Sequence, residues 1–332
     1  MVLLVVVLAL AIAFDFINGF HDTANAIATS VSTRALRPEH AILLSATANF
    51  AGALTGTAVA TTIGAGLVNA TDTDQIVIAA ALLGAIAWNL FTWRLGIPSS
   101  SSHALIGGLL GATLIAAGPQ AINVEGVVSL VLIPLVTSPI IGFLVAFAFM
   151  VVLFNVFRRA DPQRINARFR RLQVVSATYM AFSHGSNDAQ KTMGIMTLAL
   201  LSAGVIETFV VPLPVILIAA TAISLGTAVG GWRIIKTMGQ RIVKLDPIHG
   251  FAAETTAATV ILGASTLGAP VSTTQVISSA ILGAGSSDRW HSVRWGVARS
   301  IGIAWILTIP ASGTVAAGAW VVLDLALGGV AG

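Results

Sequence analysis

The stretch "NGFHDTAN" (Asn18–Asn25) follows the aliphatic run "VLLVVVLALAIAF" (Val2–Phe14), yet carries an aspartate, a histidine, a glycine and two asparagines. The run has the composition of a membrane span. An aspartate near the centre of such a span costs roughly 2.5–3.5 kcal/mol on insertion scales, so its presence asks for a function. No basic residues precede the run, and no small-residue cleavage site separates it from the polar motif. It therefore reads as a retained first span rather than a leader.

Working outward, the remaining sequence is equally apolar. Of 332 residues, 56% are hydrophobic and 9% charged, with a mean hydropathy of +0.92, whereas a soluble domain has about a quarter of its residues charged. The chain reads as a multi-pass protein of the cell membrane. Spans or span pairs are expected at 2–33, 41–66, 76–118, 127–157, 172–203, 212–236, 250–287 and 300–327. Without cysteine there is no disulfide framework and no thiolate metal site. The net charge of +4 does not indicate nucleic acid, because the arginines gather in a few connections. These are Arg34 with Arg37, the six arginines of "RRADPQRINARFRR" (Arg158–Arg171), Arg233–Lys244 and Arg289–Arg299. The connections 67–75, 118–126 and 204–214 carry no basic residue. The positive-inside rule places the first group, including a loop over 158–171, in the cytoplasm and both termini outside. That loop reads as an amphipathic linker that sets topology, with lipid or regulator binding as an alternative.

A long internal repeat organises the chain. "FINGFHDTAN" (Phe16–Asn25) recurs as "FSHGSNDAQK" (Phe182–Lys191), "ATANFAG" (Ala46–Gly52) as "ATAISLG" (Ala220–Gly226), and "GIPSSSSHALIGG" (Gly96–Gly108) as "GAPVSTTQVISSA" (Gly268–Ala280), in the same order and at similar spacing. By the charge reading the two copies have opposite topology, and 76–118 and 250–287 are re-entrant hairpins. The expected fold is an all-α polytopic protein of two inverted-topology repeats with broken helices and a site at the midplane. The single domain 1–332 divides into a first repeat (1–126), a connecting span and basic loop (127–171), a second repeat (172–287) and a C-terminal span (288–332).

Asp22 and Asp188 occupy equivalent repeat positions, each three residues after a glycine (Gly19, Gly185) that is expected to let its helix unwind. Asn18, Asn25 and Asn187 add neutral oxygen ligands suited to sodium or a proton. His21, His103, His184 and His249 lack metal-ligand spacing, so no transition-metal cage is expected. Ser100, Ser101 and Ser102, and Ser272, Thr273 and Thr274, follow Pro98 and Pro270, a helix-start signal. Two such helix starts at hairpin tips could bind an oxyanion through free N–H groups and hydroxyls. Two carboxylates beside an oxyanion repel, so a cation must enter with the anion. Glu254 has Leu82 at its repeat position, and either lines the pathway or starts a helix near the cytoplasmic face. Asn89 and Arg94 flank the first hairpin, where Arg94 could instead snorkel. The tract "SSSSH" does not read as a hydrolase, since its histidine adjoins the serines and has no counterpart in the second copy.

At these residues the chain resembles the inorganic phosphate transporter (PiT) family, in particular its bacterial low-affinity phosphate permeases. The resemblance rests on "NGFHDTANAIATSVSTRAL", "SHGSNDAQKTMGIMTLAL" and "GFAAETTAATVILGASTLGAPVSTTQ" and spans nearly the whole chain. It implies a secondary transporter, not an enzyme, that imports inorganic phosphate by cation-coupled symport with alternating access. Phosphate and coupling cations are then held by Asp22, Asn25, Asp188, Ser100, Ser101, Ser102, Ser272, Thr273 and Thr274. Sodium at Asp22 and Asp188, a proton, or a metal complexed with phosphate are the candidate co-ions, with Asn18, Asn187 and Glu254 as further cation ligands. No cofactor is implied, the partner besides phosphate is the lipid bilayer, and a homo-oligomer is compatible with the reading. Three departures stand out: Lys191 where an asparagine is usual, Gln275 where a histidine is usual, and His21 before the first aspartate. An inward Lys191 would replace one bound sodium and favour proton or metal-phosphate coupling; an outward one would snorkel. A sulfate permease and an anion channel are the alternatives.

Overall fold

The computed structural model describes residues 1–68 and 73–327; the middle of the 67–75 connection and residues 328–332 lie outside the described residues. The chain is helical. α1 (Val2–Ser32) is followed by α2 (Pro38–Ala53) and α3 (Ala58–Gly66), then α4 (Gln75–Leu95) and α5 (Ser101–Ala117). α6 (Val124–Val127) runs through a π-helical turn into α7 (Ile133–Phe157). The second half holds α8 (Pro162–Ser202), α9 (Leu213–Val229), α10 (Trp232–Lys236) with a π-helical extension to Arg241, α11 (Pro247–Thr266), α12 (Thr273–Ser286) and α13 (Trp295–Ala326).

Among the described residues α1, α4, the α6–α7 unit and α13 are each long and apolar enough to cross a membrane, and the bent pairs α2–α3 and α9–α10 qualify as single broken spans. Large aliphatic side chains cover the outside, among them Val136, Leu144, Ile306 and Val322, as expected where the solvent is lipid.

Two expectations need correction. First, α1 and α8 run unbroken through the polar motifs, so neither Gly19 nor Gly185 breaks its helix. The breaks fall instead between α2 and α3, bent by 70°, and between α9 and α10, bent by 61°. The motif glycines serve close packing. A Cβ on Gly19 would overlap the backbone of Ile223 on α9, and one on Gly185 the backbone of Asn49 on α2. Gly226 and Gly52 reciprocate, lying against the Phe16 and Phe182 carbonyls. Thus α1 is seated on α9 just as α8 is seated on α2, backbone to backbone. Second, most of the arginine-rich segment 158–171 is helix. Asp161 caps Gln163 N at 2.8 Å and Pro162 opens the first turn of α8, so Arg164, Arg168, Arg170 and Arg171 ride on its N-terminal turns. Part of the basic stretch 233–244 is likewise helical, in α10 and its extension.

Two apolar cores flank a polar layer. One core takes Leu4, Val7, Ala11 and Phe14 of α1 with Met193, Ile195 and Leu198 of α8. The other takes Ala24 and Ile27 of α1 with Ile165, Phe169 and Met180 of α8. Between them lie Asp15 to Thr23 on α1, buried except for the half-buried Phe16, Ile17 and Phe20, and Ser183 to Asp188 on α8, all buried.

Candidate functional site

The turns before α5 and α12 are built alike. Gly96 (φ 68°) and Gly268 (φ 71°) adopt the left-handed conformation that ends the preceding helix. Pro98 and Pro270 follow, and Ser100 and Ser272 then cap the new helices by accepting from His103 N at 3.2 Å and Gln275 N at 3.3 Å. The helix starts predicted from the Ser/Thr tracts are therefore present. Their first N–H groups lack intrahelical acceptors, and the hydroxyls of Ser101, Ser102, Thr273 and Thr274 are buried beside them.

α1 and α8 cross antiparallel along one polar seam. Thr33 donates to Gln173 at 2.7 Å at one end; next come Thr29 and Ser176, both bonded to Glu254; then Asp22 and Asp188. At the Asp22–Asp188 level both helix starts arrive. Thr273 donates to Asp188 Oδ2 at 2.9 Å, and Thr274 to Asp22 Oδ1 at 3.4 Å. Asn25 Nδ2 donates to the Thr274 hydroxyl at 2.9 Å. Lys191 points inward: its ammonium donates to Asp188, to the Ser102 hydroxyl, and to the Val271 carbonyl at 2.9 Å. The snorkelling alternative for Lys191 is excluded by these bonds.

Two histidines join that sequence spacing did not single out. His184 Nε2 lies 3.0 Å from Asp188 Oδ2 and 4.0 Å from Asp22 Oδ2, bridging the aspartates. Its Nδ1 is 3.1 Å from Asn49 Oδ1. The Asn49 amide is oriented by Nδ2 donating at 2.8 Å to Thr227, whose hydroxyl itself donates to Ile223 O at 2.9 Å. Both nitrogens of His184 therefore face oxygen acceptors, an arrangement that an imidazolium satisfies. His21 links Asp22 Oδ1, at 2.7 Å, to Thr92 at 3.1 Å beside the first turn. Ligand atoms of Asp22, His184 and Asp188 fall within 4.8 Å of one another, close enough to share a metal ion. His184 thus joins a candidate ligand group with the two aspartates: one helical turn, i to i+4, puts it over Asp188, which was the signal available.

Other expected residues lie elsewhere. Glu254 is fully buried, but in its own cluster with Thr29, Ser176 and Gln173, two helical turns along α1 from Asp22. It lines the seam rather than starting a helix. Asn187 turns to the second hairpin, donating to Ser265 at 2.8 Å. Asn18 is buried next to Asp15. Asn89 is buried, and the Arg94 carbonyl accepts from Arg233, whose guanidinium lies 5.5 Å from the Trp93 ring centroid.

Comparisons with known proteins place the chain in a family. The model of the phosphate transporter family matches residues 18–316. A protein of Bacillus subtilis named as a probable low-affinity inorganic phosphate transporter is 48% identical over 328 residues, covering 98% of each chain. One of the same name from Rhizobium meliloti is 47% identical over 325 residues, covering 97% of each. A solved structure titled as the sodium-dependent phosphate transporter superimposes with a TM-score of 0.90 at 26% identity, covering 98% of this chain and 100% of that one. Matched in sequence and in fold along nearly its full length, the chain belongs to the phosphate transporter family.

Proposed function

We propose that the chain imports inorganic phosphate together with a cation, holding both where the starts of α5 and α12 meet Asp22 and Asp188. The observation that carries this reading is the convergence itself: the start of α12 donates to both buried carboxylates, and the start of α5 meets Asp188 through the ammonium of Lys191. Ser100–Ser102 and Ser272–Thr274 supply donors for the oxyanion, with Asn25 and the ammonium of Lys191 beside them. Asp22 and Asp188 accept the hydroxyl protons of a protonated phosphate and hold the co-ion, with sodium, a proton or a metal-phosphate complex as co-ion candidates. Asn18, Asn187 and Glu254 serve as outlying cation ligands.

The charges present favour a reduced sodium requirement. Lys191 and an imidazolium at His184 offset Asp22 and Asp188 before any ligand enters. A phosphate brings excess negative charge, and each like-charge contact near 4 Å costs about 4 kcal/mol at an effective dielectric of 20. A cation entering with the anion relieves it. The antiparallel course of α1 and α8, and the exchanged seating on α9 and α2, support inverted repeats with re-entrant turns at 96–100 and 268–272 and alternating access between them. The termini then lie outside and the arginine-rich turns of α8 inside.

Purified protein in liposomes tests the reading through uptake of radiolabelled phosphate under imposed sodium or proton gradients, with sulfate as competitor. Uptake driven by a proton gradient and resistant to sulfate is expected. Uptake strictly dependent on sodium removes the assigned role of Lys191, efficient sulfate competition moves the substrate, and currents beyond carrier rates indicate a channel.

A further inference from the structure

Asp15 is a third carboxylate on the α1–α8 seam, and it is fully buried. It lies seven residues before Asp22, about 10 Å along the helix and on the same face. Because α8 runs antiparallel, the residue that meets Asp15 lies beyond Asp188: it is Thr192, with Asn18 one turn along α1. Four buried oxygens belong to these three side chains: both of the Asp15 carboxylate, the Asn18 amide oxygen and the Thr192 hydroxyl. All four are buried without a hydrogen-bond partner among the described residues. The contrast with Glu254 is direct, since that carboxylate accepts from three side chains.

A buried carboxylate whose neighbours are a hydroxyl and an amide but no committed cation costs several kcal/mol unless a positive charge compensates it. Lys191 is committed to Asp188, Ser102 and Val271, and His184 stands over Asp188. What the cluster offers is a set of unsatisfied hard oxygens, which selects a hard cation over a soft one. A single carboxylate balances a single positive charge, whereas a divalent ion would leave a buried excess.

We infer that Asp15, Asn18 and Thr192 form a sodium-class cation site, separate from the Asp22–Asp188 centre and on the far side of it from Glu254. Its use depends on the cation-coupled transport proposed above; its existence does not. An ion held there would stand on the seam ahead of the phosphate site and enter it two helical turns later.

The test uses the full chain in lipid nanodiscs, without phosphate or any gradient, and reads binding of radioactive sodium with difference infrared spectra on sodium addition. Asp15→Asn is expected to remove one bound sodium per chain. Thr192→Val should weaken that ion at least tenfold, and Asp188→Asn should leave it bound. The infrared signature of Asp15, identified by its loss in Asp15→Asn, should be that of an ionised carboxylate in saturating sodium. Unchanged sodium stoichiometry and affinity in both Asp15→Asn and Thr192→Val would overturn the site. So would an acid carbonyl band of Asp15 that persists in saturating sodium, which assigns a proton instead. Parallel phosphate uptake in liposomes separates the two claims: sodium bound as described in a chain that moves no phosphate sinks the transport reading and leaves the site standing.

Discussion

The two repeats meet the site with the same wiring and different atoms. In the first copy Asn25, three residues after Asp22, donates across to Thr274 of the second copy's tract. In the second copy Lys191, three residues after Asp188, donates across to Ser102 of the first copy's tract. His21 reaches Thr92 at the first turn, and Asn187, its repeat counterpart, reaches Ser265 at the second. A neutral amide thus stands on one side of the centre and a fixed ammonium on the other. The lesson is that near-symmetric geometry can carry an asymmetric charge; on the proposed reading, one half recruits a mobile cation and the other is supplied with one covalently.

The comparison breaks first at the aspartates. Asp188→Asn strands the Lys191 ammonium in a buried site, at a cost of about 3–5 kcal/mol. Phosphate uptake in liposomes is expected to fall by a factor of about one hundred or more. Asp22→Asn, whose carboxylate faces histidines and a hydroxyl, should lose less; equal losses would show that the halves are electrostatically equivalent. Next, Lys191→Asn makes the second half resemble the first. Uptake should respond more strongly to sodium, with the half-maximal sodium concentration lowered about tenfold, or about 1.4 kcal/mol of added cation affinity. An unchanged sodium response would remove Lys191 from coupling.

Smaller effects sharpen the packing side. Gly19→Ala and Gly185→Ala both push a methyl into a neighbouring backbone, and each should cost about 1–3 kcal/mol by overpacking. The thermal midpoint in detergent measures this, and similar drops in the two variants are expected if the α1–α9 and α8–α2 seats are equivalent. Smallest is Glu254→Gln, which keeps the side-chain volume and weakens bonds from Thr29, Ser176 and Gln173. A stability loss of about 1 kcal/mol is expected by the same measurement, and a loss several times larger would mean that this carboxylate anchors the seam.

Much of this was legible in the sequence because period, composition and repeat register are local properties. The Gly–X–Pro–X–Ser order of 96–100 and 268–272 encodes a helix stop and a helix start within five residues, and both appear as read. Asp22 and Asp188 stood out because a charge in an apolar run is conspicuous. The unbroken course of α1 and α8 was not legible. A glycine in a span permits unwinding and close packing equally, and only the partner backbone at Ile223 or Asn49 decides. The arginines of 164–171 read as a loop by charge, although Asp161 followed by Pro162 is a helix-start signal. Asp15 and the reach of His184 to Asp22 were illegible for another reason: both depend on the antiparallel crossing, which pairs residues more than 150 positions apart.

The seam also differs in wettability from end to end. Thr29, Ser176 and Glu254 line one stretch of it, and the positions equivalent to them by repeat are Ile195, Leu10 and Leu82, which belong to an apolar core. Hydrogen-bonded polar side chains thus line the first stretch, and aliphatic ones lie beyond Asp15 in the second. On the proposed reading, the conformations that face opposite sides of the membrane expose different linings to water, which sets a free-energy difference between them. The empty carrier then has a resting side set by these few residues, and the rate at which it resets, rather than the grip on phosphate, becomes the quantity on which that asymmetry acts.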